Sequence, residues 1–360
     1  MREIPGFPER GKAPSLEDVA AMAGVSAITV SRVINAKLNV RRDTRERVEA
    51  ALAALNYAPD KVRRFAENKN IHVTLLHGGA DFAWLGEFLA AGLDHAGRTN
   101  IQLGAKLYEE ALTEPDGHLR VFSWDTDGIL VPPPFSDAAA LRAALDRSGL
   151  PVVAIGGPAA GPGLSVRIDS RQAAFDMTRH LGTLGHRRIG FITGDPALHD
   201  SAERLAGYRR ALSDLGLADL PGLVAQGSGT YRSGLDAADR LLALAEPPSA
   251  IFAGNDEMAA AAVAVAHSRG LDVPGDLTIC GFDDSPLARA IWPALTTVRQ
   301  PVADMARLAL DLLVDAIRLK TIGSTVSPGE SHRLADYQLI RRQSDAAPRS
   351  RPAIQYDRVA

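Results

Sequence analysis

The sequence predicts an α/β protein of 360 residues in two parts, a small all-helical unit in front and a larger two-lobed body with parallel sheets. Three observations predict it. Between Leu16 and Leu55, apolar residues recur at helical spacing in short runs broken by glycine and polar turns. From Ile71 onward, short apolar runs alternate with longer amphipathic ones. Charge also divides between the parts: residues 1–70 carry 13 Lys and Arg against 9 Asp and Glu, and the remainder carries 27 against 34. A basic front on an acidic body predicts that only the front meets a polyanion.

Composition narrows the class further. Hydrophobic residues at 46% and charged residues at 23% are ordinary for a soluble globular chain. No apolar run approaches the roughly 18 residues of a membrane span. The N-terminal MREIPGFPERGKAPS lacks the apolar segment of a secretory signal. The single cysteine, Cys280 in LTICGF, has no internal disulfide partner and reads as a buried thiol. Together these features point to the cytoplasm.

Element by element, Ser15 with Asp18 has the form of a capping box, and Leu16, Val19, Ala20 and Ala23 then define a first helix. Gly24 supplies the left-handed exit, and Val25 plugs the turn. Ser26 caps a second helix with Val30 and Val33 inward and Ala27, Ile28, Ser31, Arg32 and Asn35 outward. Two short helices joined by a glycine turn form a helix-turn-helix. The outward face suits the DNA major groove, where arginine bridges the acceptors of guanine and asparagine pairs with adenine. A third helix from about Asp43 to Leu55 closes the small core, and Lys37, Arg41, Arg42, Arg45 and Arg47 are in reach of phosphates.

The body's strands are read as IHVTLL, IQLGAKLY, GILV, VVAI, RIGFIT, AIFAG and LTICGF, with continuous apolar runs that fit burial on both faces. The Gly/Pro-rich GGPAAGPG at 156–163 marks an irregular connection near the middle. Ligands in open parallel sheets bind beyond the carboxyl ends of strands. That rule picks out Asp169 after SVRI, Asn255 after AIFAG and Asp283 after TICGF, with Arg204 near the start of a helix and Gln300 in a late crossover. An arginine, an asparagine and a carboxylate suit vicinal hydroxyls, which both donate and accept. Phe82 and Trp84, after the first strand, are placed to stack on a sugar ring or to pack in the core. The pair Asp283 and Asp284 has a second reading as a helix cap before Ser285 and Pro286.

The run LEDVAAMAGVSAITVSRVINAKLNVRRDTRERVEAALAALNYAPDKV closely resembles the DNA-binding headpiece of the LacI/GalR (lactose-repressor) family. Segments such as VRIDSRQAAFDMTRHLGTLGHRRIGFITGDP, AIFAGNDEMAAAAVAVA and LTICGFDDSPLARAIWPALTTVRQP resemble, in order, that family's periplasmic-binding-protein-like body. The resemblance implies a headpiece (14–58), a hinge (59–70) and a body (71–343), while polar, proline-containing composition marks 1–13 as a disordered extension and 344–360 as a disordered tail. It divides the body into one lobe of about 71–168 with 302–328 and another of about 171–298 with 332–343. It implies that Ala27, Ile28 and Arg32 read bases, while Ser26, Thr29, Ser31, Asn35, Asn39 and Tyr57 mostly position the helix. In the hinge, Lys61, Arg63 and Arg64 suit the minor groove. The family's inserted leucine is matched by Ala66, so the wedge falls to the neighbouring Phe65 or the DNA is kinked less; an equal alternative has Phe65 packing under the body. The effector contacts implied are Arg204, Asn255, Asp283 and Gln300.

The expected partners are near-palindromic operator DNA, a small-molecule effector and a second copy of the chain, with pairing of dimers into tetramers left open. A sugar is the first choice of effector and a purine-like corepressor the alternative. No cofactor, metal or catalysis is expected: no P-loop or dinucleotide fingerprint follows the first strand. His180 and His186 lack a metal-binding helical spacing, and His186 reads as a helix-end residue.

Overall fold

A computed structural model describes residues 16–34, 40–55, 70–78, 82–107, 125–158, 163–321, 324–327 and 331–349. The extension before Leu16, most of the hinge and the last eleven residues lie outside them.

Three helices, α1 (Leu16–Ala23), α2 (Ala27–Ile34) and α3 (Arg42–Ala54), form the front unit. Gly24 at φ 64° makes the turn, and the Val25 N–H reaches the Ala20 carbonyl at 3.0 Å to close the end of α1. Ser26 Oγ accepts the Thr29 N–H at 3.2 Å, as a residue capping α2 should. Val19, Val30, Val33, Val48 and Leu55 are buried together. Leu319 and Val326 of the body join this cluster, and Ser324 Oγ donates to Glu17 at 2.7 Å, so the front unit rests on the body.

The body then runs β1 (Ile71–His77), α4 (Phe82–Gly97), β2 (Ile101–Leu107), β3 (Gly128–Val131), α5 (Ala139–Ser148), β4 (Val152–Ile155) and β5 (Leu164–Arg167). It continues α6 (Ser170–Thr183), β6 (Ile189–Thr193), α7 (His199–Asp214), β7 (Val224–Gln226), α8 (Tyr231–Leu242), β8 (Ala250–Ala253) and α9 (Asp256–Ser268). The chain ends with β9 (Thr278–Asp283), α10 (Pro286–Ala290), β10 (Thr296–Arg299), α11 (Val302–Thr321), β11 (His332–Leu334) and β12 (Gln338–Ile340).

The strands form two six-stranded sheets, ordered β2-β1-β3-β4-β5-β11 and β7-β6-β8-β9-β10-β12. Every pairing is parallel except β10 with β12. The apolar runs of the sequence that become β3, β6 and β8 are buried along the whole length of those strands, as coverage by helices on both faces requires. The two sheets repeat one winding. In each, the first strand lies between the second and the third, so the connections leave a crevice between the first and third strands at their carboxyl ends. The chain passes between the sheets after β5, after β10 and between β11 and β12. The Gly/Pro-rich run at 156–163 is therefore a connection from β4 to β5 inside the first lobe, not a boundary between lobes.

The chain after Gln343 is not a disordered tail as far as Arg349. Ser344 Oγ accepts the Thr296 N–H at 2.8 Å and donates to the Ile279 carbonyl at 2.5 Å. Asp345 receives His180 Nε2 at 2.8 Å, and Arg349 bridges Asp272 and Asp276. These polar residues complete bonds that the ends of β9 and β10 would otherwise leave unmade. His186 is corrected too. It is a buried group whose Nε2 donates to the Ala346 carbonyl at 2.9 Å while Nδ1 meets Ser249 Oγ at 2.9 Å. Burial lowers its pKa and keeps it neutral, so it is not a charge on a helix end.

Candidate functional site

The front unit carries the first candidate surface. Ser26, which caps α2, and Thr29 and Arg32 within it share a shallow concavity with Val25, Val40, Arg41 and Thr44. Ser31 is half-buried beside them, Arg42 pairs with Glu46 at 2.9 Å, and Arg32 forms no ion pair among the described residues. A guanidinium next to two hydroxyls and a second arginine is a set of donors that a phosphodiester or a guanine edge accepts. Val40 and Thr44 were not singled out from the sequence, because their approach to α2 depends on how α3 packs.

Ile28 corrects the expectation of an outward base reader. It is 1% exposed and belongs to the apolar cluster of the front unit, with Ala27 half-buried against the same cluster. Burying an isoleucine is favourable, and this one finds apolar neighbours here. Asn35, Asn39, Tyr57, Lys61 and Phe65 lie outside the described residues. Arg32→Ala is expected to relax base preference at one position per half-site at a cost of about 1–3 kcal/mol, read by selection of binding sites from random DNA.

The second site lies in the body. A cavity of about 280 Å³ is lined by residues from both lobes at the crevices that the windings create. His77 ends β1 and Pro132–Pro134 follow β3 in one lobe; Gly194 and Asp195 follow β6 and Gly254 and Asn255 follow β8 in the other. Arg204, Asn255, Asp283, Gln300 and Trp84 are all brought to it.

Asp169 is not. It is exposed and caps α6, where its carboxylate accepts the Gln172 N–H at 2.9 Å. Its carboxylate is committed to that cap, while the preceding Ile168 lines the cavity. The side chain of Phe82 lies outside the described residues. Trp84 both lines the cavity and stacks on buried Phe88, with ring centroids 5.0 Å apart. Phe135, Asp137, Asp200 and Ser201 join the lining without having been anticipated. Applying the strand-end rule to GILV would have found the loop that carries the first two.

Hydrogen bonds hold the second lobe's polar set in place. Asn255 caps α9, accepting the Met258 N–H at 2.9 Å and donating to the Gly229 carbonyl at 2.6 Å. The Arg204 side chain is 14% exposed; its guanidinium lies 3.8 Å above the Phe282 ring, donates to the Gly254 carbonyl at 2.6 Å, and stands 3.9 Å from Asp283. Gln300 Nε2 donates to Asp283 at 2.7 Å.

Asp283 and Asp284 hold φ angles of 111° and 58°, a backbone that non-glycine residues rarely adopt and that costs on the order of 1–3 kcal/mol per residue. Neither caps α10. Ser285 holds the cap position, and its N–H is accepted by Asp256 at 2.7 Å. Asp256 is buried and also accepts the Thr297 hydroxyl at 2.7 Å, and Gly281 gives it room, since a Cβ there would lie 2.3 Å from its carboxylate oxygen.

Burial, with the Asp283 charge adding to it, pushes the pKa of Asp256 up to about 7. The folded protein thus holds this proton more tightly than the unfolded chain. The resulting stabilisation is complete below the ordinary carboxylate pKa, near 4, and is lost as pH rises through about 7. Asp256→Asn should remove this slope, so that the melting temperature of the variant gains on that of the wild type between pH 5 and pH 8. Parallel melting curves across that range would exclude it.

Residues 15–60 match the family described as bacterial regulatory proteins, lacI family, and residues 178–344 match the periplasmic binding protein-like domain. The chain is 34% identical over 325 residues to catabolite control protein A of Priestia megaterium, covering 87% of this chain and 95% of that one. It is 35% identical to the HTH-type transcriptional regulator CelR of Thermobifida fusca, with 89% and 95% covered. This chain belongs to the LacI family. It is a DNA-binding transcriptional regulator built from a helix-turn-helix headpiece and a periplasmic-binding-protein-like body. The structure of a CelR–cellobiose complex is similar over 92% of this chain and all of that one, with a TM-score of 0.67 and 31% identity.

Proposed function

We propose that this LacI-family regulator is a cytoplasmic homodimer that represses carbohydrate-utilisation genes and that a sugar bound between its lobes sets its operator affinity. The observation that carries the reading is the cavity at both crevices. On one side it has Arg204, Asn255, Asp283 and Gln300, whose mixed donors and acceptors match ring hydroxyls; on the other it has Trp84 and Phe135, whose faces match the apolar side of a pyranose. The solved CelR relative carries cellobiose.

Linkage supplies the mechanism. A ligand that touches both lobes favours the closed arrangement by its difference in affinity for closed and open states. Closure alters how the first lobes of two subunits meet, and thereby the spacing of two headpieces on a near-palindromic operator. Helices α4 and α11, which His95 and Asp311 join at 3.2 Å, together with exposed Leu93 and the edge strand β2, form the proposed dimer face. Within the headpiece, Ser26, Ala27, Thr29, Ser31 and Arg32 are the proposed contacts to DNA.

The test is a thermal-shift screen of the purified protein against mono- and disaccharides, sugar phosphates and nucleobases, with operator release measured by fluorescence anisotropy for each hit. A sugar that stabilises the protein and releases DNA supports the reading. A nucleobase that stabilises it and tightens DNA binding would replace the inducer with a purine-like corepressor.

A further inference from the structure

The charge lining the cleft restricts the effector more narrowly than its hydrogen-bonding groups do. Two helices, α7 and α9, begin at the cavity, and a helix N-terminus with its unpaired N–H groups is a ready site for a phosphate or carboxylate. Both already carry side chains of the protein, an acid at α7 and an amide at α9. The first N–H of α7, that of His199, is accepted at 3.1 Å by Asp137, which reaches across from the other lobe. Asp200 follows in the first turn of α7, and it too lines the cavity. At α9, Asn255 takes the Met258 N–H, and Asp256 and Glu257 occupy the first turn.

Arg204 offsets these acids only in part. Among the described residues it is the one Arg or Lys that lines the cavity, and it is engaged by the Gly254 carbonyl, the Phe282 ring and the neighbouring Asp283. Asp137, Asp200 and Asp283 thus face the ligand from both lobes. A bound anion would meet like charges in a half-enclosed site where, among the described residues, the one guanidinium already stands beside Asp283. Polar capacity for neutral groups remains: His77 Nδ1 and Arg204 Nε are buried and without a hydrogen-bond partner.

We infer that the effector is an uncharged polyol or glycoside without phosphate or carboxylate groups, and that Asp137 and Asp200 are the residues that reject its anionic counterparts. The inference rests on the reading that this cavity receives the effector. It makes the cross-lobe contact of Asp137 with α7 a charge filter as well as a tie between the lobes.

The test uses the full-length protein and matched pairs of compounds in isothermal titration: cellobiose and its 6′-phosphate, glucose and glucose 6-phosphate, galactose and galacturonate, inosine and inosine monophosphate. The neutral member of the binding pair is expected to bind at least about tenfold more tightly than its anionic partner. In the double variant Asp137→Asn with Asp200→Asn, that ratio is expected to fall toward one, whatever the two affinities become. An anionic member that binds as tightly as its neutral partner, or better, overturns the inference. A ratio unchanged in the double variant removes Asp137 and Asp200 from the role. Binding confined to the inosine pair would overturn the carbohydrate reading, while the ratio within that pair would still decide the charge rule.

Discussion

Asp284→Ala is expected to destabilise the protein by about 3–5 kcal/mol and to abolish effector binding with it. The Asp284 side chain is 2% exposed and accepts Arg299 Nε at 2.6 Å and Arg342 Nη2 at 2.5 Å. Arg299 ends β10, and Arg342 lies in the segment after β12, so one carboxylate ties the end of β9 to two neighbouring elements. Removing it leaves the nearly buried Arg342 guanidinium without its counter-charge, the case in which breaking a buried pair costs most. It also places alanine at φ 58°, where asparagine or aspartate is tolerated far better. Asp283 is the next residue, and its placement in the cavity relies on this anchoring. Urea denaturation measures the loss, and titration with the ligand from the screen measures the second effect. Asp284→Asn, which keeps an acceptor oxygen and the backbone preference, should be markedly milder. A midpoint for Asp284→Ala equal to that of the wild type would mean that the ion pairs do not hold the turn.

Arg204→Ala should weaken effector binding roughly a hundredfold, in line with the 1.5–3 kcal/mol of a hydrogen bond to a charged group plus the disorder of the groups it holds. Its guanidinium is fixed in plane over Phe282 and bonded to the Gly254 carbonyl, so its remaining donors are oriented before the ligand arrives. The same cation stands beside Asp283 and tempers the repulsion between Asp283 and the buried Asp256. Arg204→Lys keeps the charge but loses the planar stack and the fork of donors, and should recover only a small part of the affinity. Isothermal titration against the same ligand reads both variants. Equal affinity in Arg204→Ala and wild type would remove the arginine from the site.

The headpiece was legible because its signals are local. Gly24 permits a left-handed exit, Ser26 bonds the backbone three residues on, and Val30 and Val33 repeat on one side of a helix. Strands β3, β6 and β8 were legible because burial on both faces demands uninterrupted apolar residues. Local signals do not say how far a helix rotates into its neighbours, which is why Ile28 was placed outward and is found buried. Composition likewise marks 344–349 as a tail, whereas its polar groups are bound by Thr296, Ile279 and His180 from distant parts of the chain.

The site shows the same division most plainly. Local pattern fixes which residues stand at the ends of strands and helices, and so marks Arg204, Asn255, Asp283 and Gln300 as polar groups able to meet a ligand. Only the tertiary structure decided which strand ends border a crevice. That depends on strand order, and order is set by long-range pairing of β1 with both β2 and β3, and of β6 with both β7 and β8. Asp137 enters by the loop after β3, which borders the crevice, whereas Asp169 turns to cap α6 although its neighbour Ile168 reaches the cavity. The meeting of Asp137 with His199, 62 positions apart, arises because two separately wound sheets present their crevices to each other. No periodicity within either segment encodes that encounter.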